Sequence, residues 1–310
     1  MNILVTGGAG FIGSHFIEHL LRANPRDCVV NVDKLTYAGN LKNLKDVSCS
    51  KRYRFVQADI CDAKKMGKIV CGCEAIIHFA AETHVDRSIK NSGVFIETNV
   101  QGTHVLLEAG LRHKIKRFLH VSTDEVYGSR LKGFFKETDS LSPSSPYAAS
   151  KAASDLLVLA YAKTYKMPIV ITRSSNNFGP RQYPEKVIPL FVTNLLKNKK
   201  VPLYADGGNV RDWIYVKDNC EAIELVFRKG RSGEIYNIAA GQYMTNLELT
   251  KRILKVMDKP LSMINYVQDR LGHDFRYAVD TTKVRKLGFS PRYSFEQGLT
   301  LTINGYCAGC

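Results

Sequence analysis

No stretch of this chain approaches the roughly 20 consecutive apolar residues that a bilayer-spanning helix requires, so a membrane-spanning reading is excluded. The opening run Met1-Asn2-Ile3-Leu4-Val5-Thr6 enters a strand and a glycine turn without the charged lead and cleavage site of a secretory signal, so a cytoplasmic location is expected. No basic run is interleaved with aromatics as a stacking platform for nucleic acid requires, and no nucleic-acid partner is expected. The eight cysteines include two local pairs, Cys71/Cys73 and Cys307/Cys310, but neither has the second half of a zinc-ribbon spacing nearby. Reduced thiols and no metal are expected. Internal repeats and low-complexity tracts are missing as well.

What is present suits a globular protein. Hydrophobic residues make up 45% of 310 and charged residues 24%, enough to bury one large domain or two linked ones. Lys plus Arg is 44 against 29 Asp plus Glu, a formal charge of +15, which favours anionic partners such as nucleotides or diphosphates. Short β-branched runs alternate with helical stretches through the first half. Strands are predicted at Asn2–Thr6, Val29–Val32, Arg54–Gln57, Ala75–Phe79, Phe118–Ser122 and Ile169–Thr172, and helices near Phe11–Arg22, Gly93–His113 and Pro146–Tyr165. This alternation, with near-continuous apolar strands, predicts an α/β fold with a doubly wound, Rossmann-like parallel sheet. After about Ser174, Pro180, Pro184, Pro189 and Pro202 punctuate shorter elements, and a smaller C-terminal substrate-binding region is predicted there.

Gly7-Gly8-Ala9-Gly10-Phe11-Ile12-Gly13 follows the first strand and opens the first helix. Glycines there permit a tight turn and close backbone approach to a pyrophosphate, which the helix N-terminus stabilises. Asp33 closes the second strand about 20 residues on, where a carboxylate can accept from an adenosine ribose and repel a 2′-phosphate; NAD is therefore expected over NADP. Asp59 and Ile60 end the third strand beside the adenine, and Phe79-Ala80-Ala81 keep side chains small along the cofactor path. Residues 1–175 are read as the NAD-binding domain, with part of 212–230 returning to it, and 176–310 as mostly substrate-binding.

Tyr147 and Lys151 stand one helical turn apart, so one face carries both. A neighbouring ammonium, helped by the positive nicotinamide ring, stabilises phenolate and fits tyrosine to act as a base, while Thr123 can orient a sugar oxygen. With the glycine turn, these residues resemble the extended short-chain dehydrogenase/reductase superfamily over nearly the whole chain. Its sugar-nucleotide epimerases, decarboxylases and reductases share those motifs. Thr123-Asp124-Glu125-Val126-Tyr127-Gly128 carries the acid pair of its 4,6-dehydratases, where epimerases usually have small or hydroxyl residues. The resemblance implies Tyr147 as base at the hexose 4-hydroxyl, Glu125 as base at carbon 5 and Asp124 as the acid that protonates the departing 6-hydroxyl. Both acids reach one site only if the strand has ended by Asp124.

The resemblance also implies cofactor contacts from Gly7, Gly10, Phe11, Ile12, Gly13, Asp33, Lys34, Leu35, Thr36, Asp59, Ile60, Phe79, Ala80, Ala81, Asn99, Tyr147, Lys151 and Asn177. Substrate contacts are implied for Thr83, Thr123, Asn176, Lys186, Val187, Pro202, Tyr204, Arg211, Asn246, Arg270 and His273. The implied substrate is a nucleotide-sugar, dTDP-glucose, with UDP-glucose the nearest alternative, since Leu271, Phe275 and Ala205 stand where many relatives have proline, arginine and glycine. An epimerase and a non-catalytic NAD-sensing protein stay open as further alternatives. A homodimer is implied, built from the helices near Gly93–His113 and Pro146–Tyr165.

Overall fold

The computed structural model describes residues 1–269 and 272–307. The first half alternates strand and helix: β1 (Asn2–Thr6), α1 (Phe11–Ala23), β2 (Cys28–Asp33), β3 (Tyr53–Gln57), α2 (Ala63–Val70), β4 (Ala75–His78) and α3 (Val85–Lys90). A helical rod follows, made of α4 (Gly93–Phe95), a π-helical turn (Ile96–Gln101) and α5 (Gly102–Arg112); then come β5 (Arg117–Thr123), α6 (Pro146–Tyr165) and β6 (Ile169–Ser174). The second half carries β7 (Asn176–Phe178), α7 (Val187–Leu196), β8 (Val201–Tyr204), β9 (Val210–Tyr215), α8 (Val216–Lys229) and β10 (Glu234–Ile238). It ends with β11 (Tyr243–Thr245), α9 (Asn246–Val256), β12 (Ile264–Val267), α10 (Thr282–Lys286) and α11 (Phe295–Cys307).

Seven strands form one sheet in the order β10-β6-β5-β4-β1-β2-β3, with every pairing parallel. Alternate residues of β1 feed two cores. Ile3 and Val5 pack with Phe16 and Ile17 of α1, whereas Leu4 packs with Leu106, Val158 and the opposite helices. The order of strands reverses between β1 and β4, and the crevice beyond their C-terminal ends is where such a sheet receives ligands. The chain returns to this sheet late: α8 lies against α1, and β10 pairs with β6, so the return extends past residue 230. Two smaller sheets, β11-β9-β7 and β12-β8, belong to the second half.

Local chemistry sets the edges that matter. Ser145 caps α6 by accepting from Ala148 N, and Pro146 sits at its first position, where no N–H is needed. That cap fixes where Tyr147 and Lys151 fall. The strand β5 stops at Thr123 because the Thr123 hydroxyl accepts from Glu125 N at 3.2 Å, starting a 3-10 turn over Asp124–Tyr127.

Candidate active site

A cavity of about 400 Å³ opens at the strand reversal. Its floor is the glycine turn. Gly7 has φ +70°, and a Cβ there would stand 2.6 Å from Ala80 N; a Cβ on Gly13 would stand 2.3 Å from Gly7 O. The first turn of α1 has no side-chain cap, so its amides face the cavity as an anion site backed by the helix dipole. Asp33, 8% exposed, accepts from Ala9 N at 2.9 Å and Leu35 N at 2.8 Å, which aims its carboxylate at the wall. Burial raises its pKa despite those two bonds. This cradle, closed to any Cβ and open to backbone amides, fits a dinucleotide pyrophosphate and its ribose.

Most of the residues expected to touch cofactor line this cavity: Gly7, Gly10, Phe11, Ile12, Gly13, Asp33, Lys34, Thr36, Asp59, Ile60, Phe79, Ala80, Ala81, Tyr147, Lys151 and Asn177. Leu35 and Asn99 stand behind the wall. Asn99 is a strut: its side chain accepts from Glu82 N and donates to Glu82 O and Ser150 Oγ, holding the 79–84 loop onto α6. Lys34 is engaged by Asp59 at 2.6 Å, a pair that gathers its ammonium at the adenine end.

The catalytic candidates converge at the other end. Thr123, Asp124, Glu125, Tyr147 and Lys151 all line the same cavity, which meets the condition that the strand end before Asp124. Asp124 is 3% exposed, and one of its oxygens, Oδ2, has no hydrogen-bond partner. Burial first, and the neighbouring Glu125 second, push its pKa well above the carboxylate range, with Arg211 opposing. That direction favours the protonated carboxyl and suits Asp124 to act as an acid.

Tyr147 is not activated by the protein's own groups alone. Burial and then Glu125 push its phenol above the ordinary tyrosine value, with the neighbouring Thr123 pulling the other way. The reason is the direction of Lys151, whose Nζ donates to Val121 O at 2.8 Å and lies 3.4 Å from His120 Nε2. Burial brings this lysine down to about 8, against the pull of Asp155. The protein alone holds tyrosine neutral; a cation in the cavity is needed to lower it.

Substrate candidates divide. Thr83, Thr123, Asn176 and Lys186 line the cavity, and Lys186 Nζ donates to Thr83 O at 2.7 Å. Val187, Pro202, Tyr204, Arg211, Asn246 and His273 lie beyond its wall. Of these, Arg211 is buried, donates to Asp274 O at 2.9 Å and covers the Tyr277 ring at 4.2 Å. Tyr204 and His273 meet edge to face at 6.0 Å. Arg270 and Cys310 fall outside the described residues. Sequence reading missed Glu82, Glu97 and Gln182 on the wall, and it missed His120, Asp155 and Arg173 behind Lys151; a buried acid one turn after Lys151 was the available signal.

A glycine cradle, a ribose-facing acid and a Tyr–Lys pair beside a threonine define a dinucleotide-dependent enzyme of the short-chain dehydrogenase/reductase kind. The chain belongs to the GDP-mannose 4,6 dehydratase family, whose model matches residues 4–302. It is 52% identical to a dTDP-glucose 4,6-dehydratase of Streptomyces niveus, over 99% of this chain and 93% of the relative. The solved dTDP-glucose 4,6-dehydratase of Streptomyces venezuelae, with NAD and a TDP ligand bound, superposes with a TM-score of 0.98 at 51% identity, covering 99% of this chain and 97% of that one. A UDP-glucose 4-epimerase of Thermotoga maritima superposes at 0.92 with 33% identity, covering 100% and 99%. Fold alone therefore does not choose between dehydration and epimerisation.

Proposed function

We propose that this chain is an NAD-dependent dTDP-glucose 4,6-dehydratase, converting dTDP-glucose to dTDP-4-keto-6-deoxyglucose by internal oxidation, loss of water and reduction. One observation carries the reaction type: Asp124 and Glu125 leave β5 in a 3-10 turn that keeps both on the cavity wall shared with Tyr147. An epimerase needs no such pair.

Bound NAD supplies the acceptor for hydride from carbon 4 and its return to carbon 6, and its nicotinamide ring the positive charge that Tyr147 lacks. Gly7, Gly10 and Gly13 hold its pyrophosphate at the head of α1, Asp33 takes the adenosine ribose, and Lys151 the nicotinamide ribose. Thr123, beside Tyr147 on the same wall, is placed to orient the hexose 4-hydroxyl, and Tyr147 removes the proton of that hydroxyl. With a ketone at carbon 4, the carbon 5 proton is acidic, and Glu125 is the carboxylate available to take it. Asp124, whose burial favours the protonated form, donates to the leaving 6-hydroxyl. Two acids in different environments thus divide acid and base duties.

Residues 1–175 with α8 and β10 serve the cofactor in this reading, and the rest of the second half serves the nucleotide-sugar. Ile96 (52% exposed) and Leu156 (59% exposed) on the helical rod and α6 support a homodimer through these helices. A cytoplasmic site of action is supported by cysteines that are free throughout the described residues. Incubation with dTDP-glucose and UDP-glucose side by side, with products weighed by mass spectrometry, tests the function. Loss of one water from the thymidine substrate is expected; turnover of UDP-glucose alone, or an inverted hexose of unchanged mass, refutes it.

A further inference from the structure

Behind Lys151 lies a charged network with almost no contact with solvent. Arg173 (1% exposed) donates through Nε to Asp155 Oδ2 at 2.8 Å, and Asp155 is 0% exposed. Its other oxygen, Oδ1, lies 3.4 Å from His120 Nε2, and the same nitrogen lies 3.4 Å from Lys151 Nζ. One imidazole nitrogen therefore faces an ammonium on one side and a carboxylate on the other. It can donate to Asp155 or accept from Lys151, but not both at once. His120 Nδ1 has no hydrogen-bond partner, and burial holds the ring neutral, down to about 4.

We propose that Asp155, anchored by Arg173 and linked through His120, is a positioning residue that keeps Lys151 an ammonium at the inner wall of the active site. The proposal rests on the reading of Tyr147 and Lys151 as base and partner. Burial alone pulls Lys151 toward the neutral form, and a neutral amine neither favours phenolate nor holds a ribose as a cation does. Asp155 is the anion that opposes this from α6. Arg173 from β6 acts on Asp155, and burial, which would neutralise the acid, is outweighed by His120 and Arg173. From β4, His78 is held neutral in the same interior, between Thr6 Oγ1 at 2.7 Å and Thr103 Oγ1 at 3.0 Å. Toward the cavity Lys151 shares space with Tyr147, Glu125 and Asp124. Among the described groups behind the lysine, the negative charge belongs to Asp155.

The test is the pH profile of kcat for the NAD-loaded enzyme in Asp155→Asn and in the double variant Asp155→Asn with Arg173→Gln. The double variant replaces both members of the buried ion pair by amides, so Arg173 is not left as a buried charge without Asp155. Activity that needs the ammonium is present below its pKa and lost as pH rises through it. With that pKa moved from about 8 to about 7, the ammonium fraction falls about twofold at pH 7 and about fivefold at pH 8. We expect both variants to show this shift in the alkaline limb with KM little changed. A uniform loss of kcat with the limb unmoved overturns the proposal. Should neither variant fold, NMR titration of labelled lysine in the wild-type holoenzyme decides: Lys151 charged at pH 7 is expected, and a neutral amine there overturns it. If the wild type itself does not dehydrate dTDP-glucose, the functional reading falls; if it does and the limb stays put, only the role of Asp155 falls.

Discussion

Replacing Asp124 by Asn and, separately, Glu125 by Gln separates the two halves of water loss. Asp124 is a buried acid whose surroundings favour the protonated form, with Oδ2 lacking a hydrogen-bond partner on a cavity wall, and an amide of the same shape cannot deliver a proton as a carboxylic acid does. Positioned general acids contribute typically 10²–10⁴-fold, so kcat for the 4-keto-6-deoxy product should fall by about that factor. The two variants should differ in a second readout, deuterium uptake at carbon 5 of recovered sugar in heavy water. Asp124→Asn keeps Glu125 and should still exchange that position; Glu125→Gln should lose both exchange and elimination. Stability adds a check on the same burial. A carboxyl whose pKa is raised on folding costs stability once pH exceeds its unfolded value near 3.8. Asp124→Asn should then melt higher than wild type at pH 7, and the gap should close as pH falls toward that value. Full turnover by either variant, or an exchange pattern with the two roles swapped, refutes the assignment of acid and base.

Other outcomes follow from the cavity. Gly13→Ala forces a Cβ to 2.3 Å from Gly7 O, and should cost about 1–3 kcal/mol and strip NAD from the purified protein, measured by acid release of nucleotide. Asp33→Asn removes the charge from a group that accepts two backbone bonds; hydrogen bonds to a charged group contribute about 1.5–3 kcal/mol, so NAD should dissociate at least about tenfold more readily, read by equilibrium dialysis. Leu156→Glu places a charge on α6 at a position 59% exposed, and light scattering should report the proposed dimer for the wild type and a monomer for the variant.

Legibility in the sequence followed the range of the interaction. The turn between β1 and α1 was readable because glycine, strand and helix signals lie within thirteen residues, and β1 to β6 were each marked by a local apolar run. The helix expected over Gly93–His113 contains a π-helical turn at Ile96–Gln101, which periodicity does not distinguish from plain α-helix. β10 pairs with β6 across about sixty residues of intervening chain, and nothing local marks Glu234–Ile238 as the sheet's last strand. Asp124 and Glu125 could be named but not aimed, since the side chain of Thr123 ends the strand, and a strand one residue longer would have turned one acid away. Arg211, implied as a substrate contact, also donates to Asp274 O and Val210 O and covers the face of Tyr277, partners that no local sequence signal marks.

Net charge says little about how the site is built. A formal +15 favours anionic partners, yet the cavity wall carries Asp33, Asp59, Glu82, Glu97, Asp124, Glu125 and Glu185 against Lys34, Lys151 and Lys186. One of those lysines is bound to Asp59, and another is turned toward Val121 O. The basic excess therefore belongs to the rest of the molecule. Within the cavity the groups suited to a pyrophosphate are backbone amides at an uncapped helix end, which need no side-chain charge. That division leaves carboxylates free for two tasks that cations cannot perform, accepting from ribose hydroxyls and moving protons on a hexose. An acid-rich wall beside an amide cradle is what a dinucleotide-dependent dehydratase requires, and a count of charges along the chain has no means of showing it.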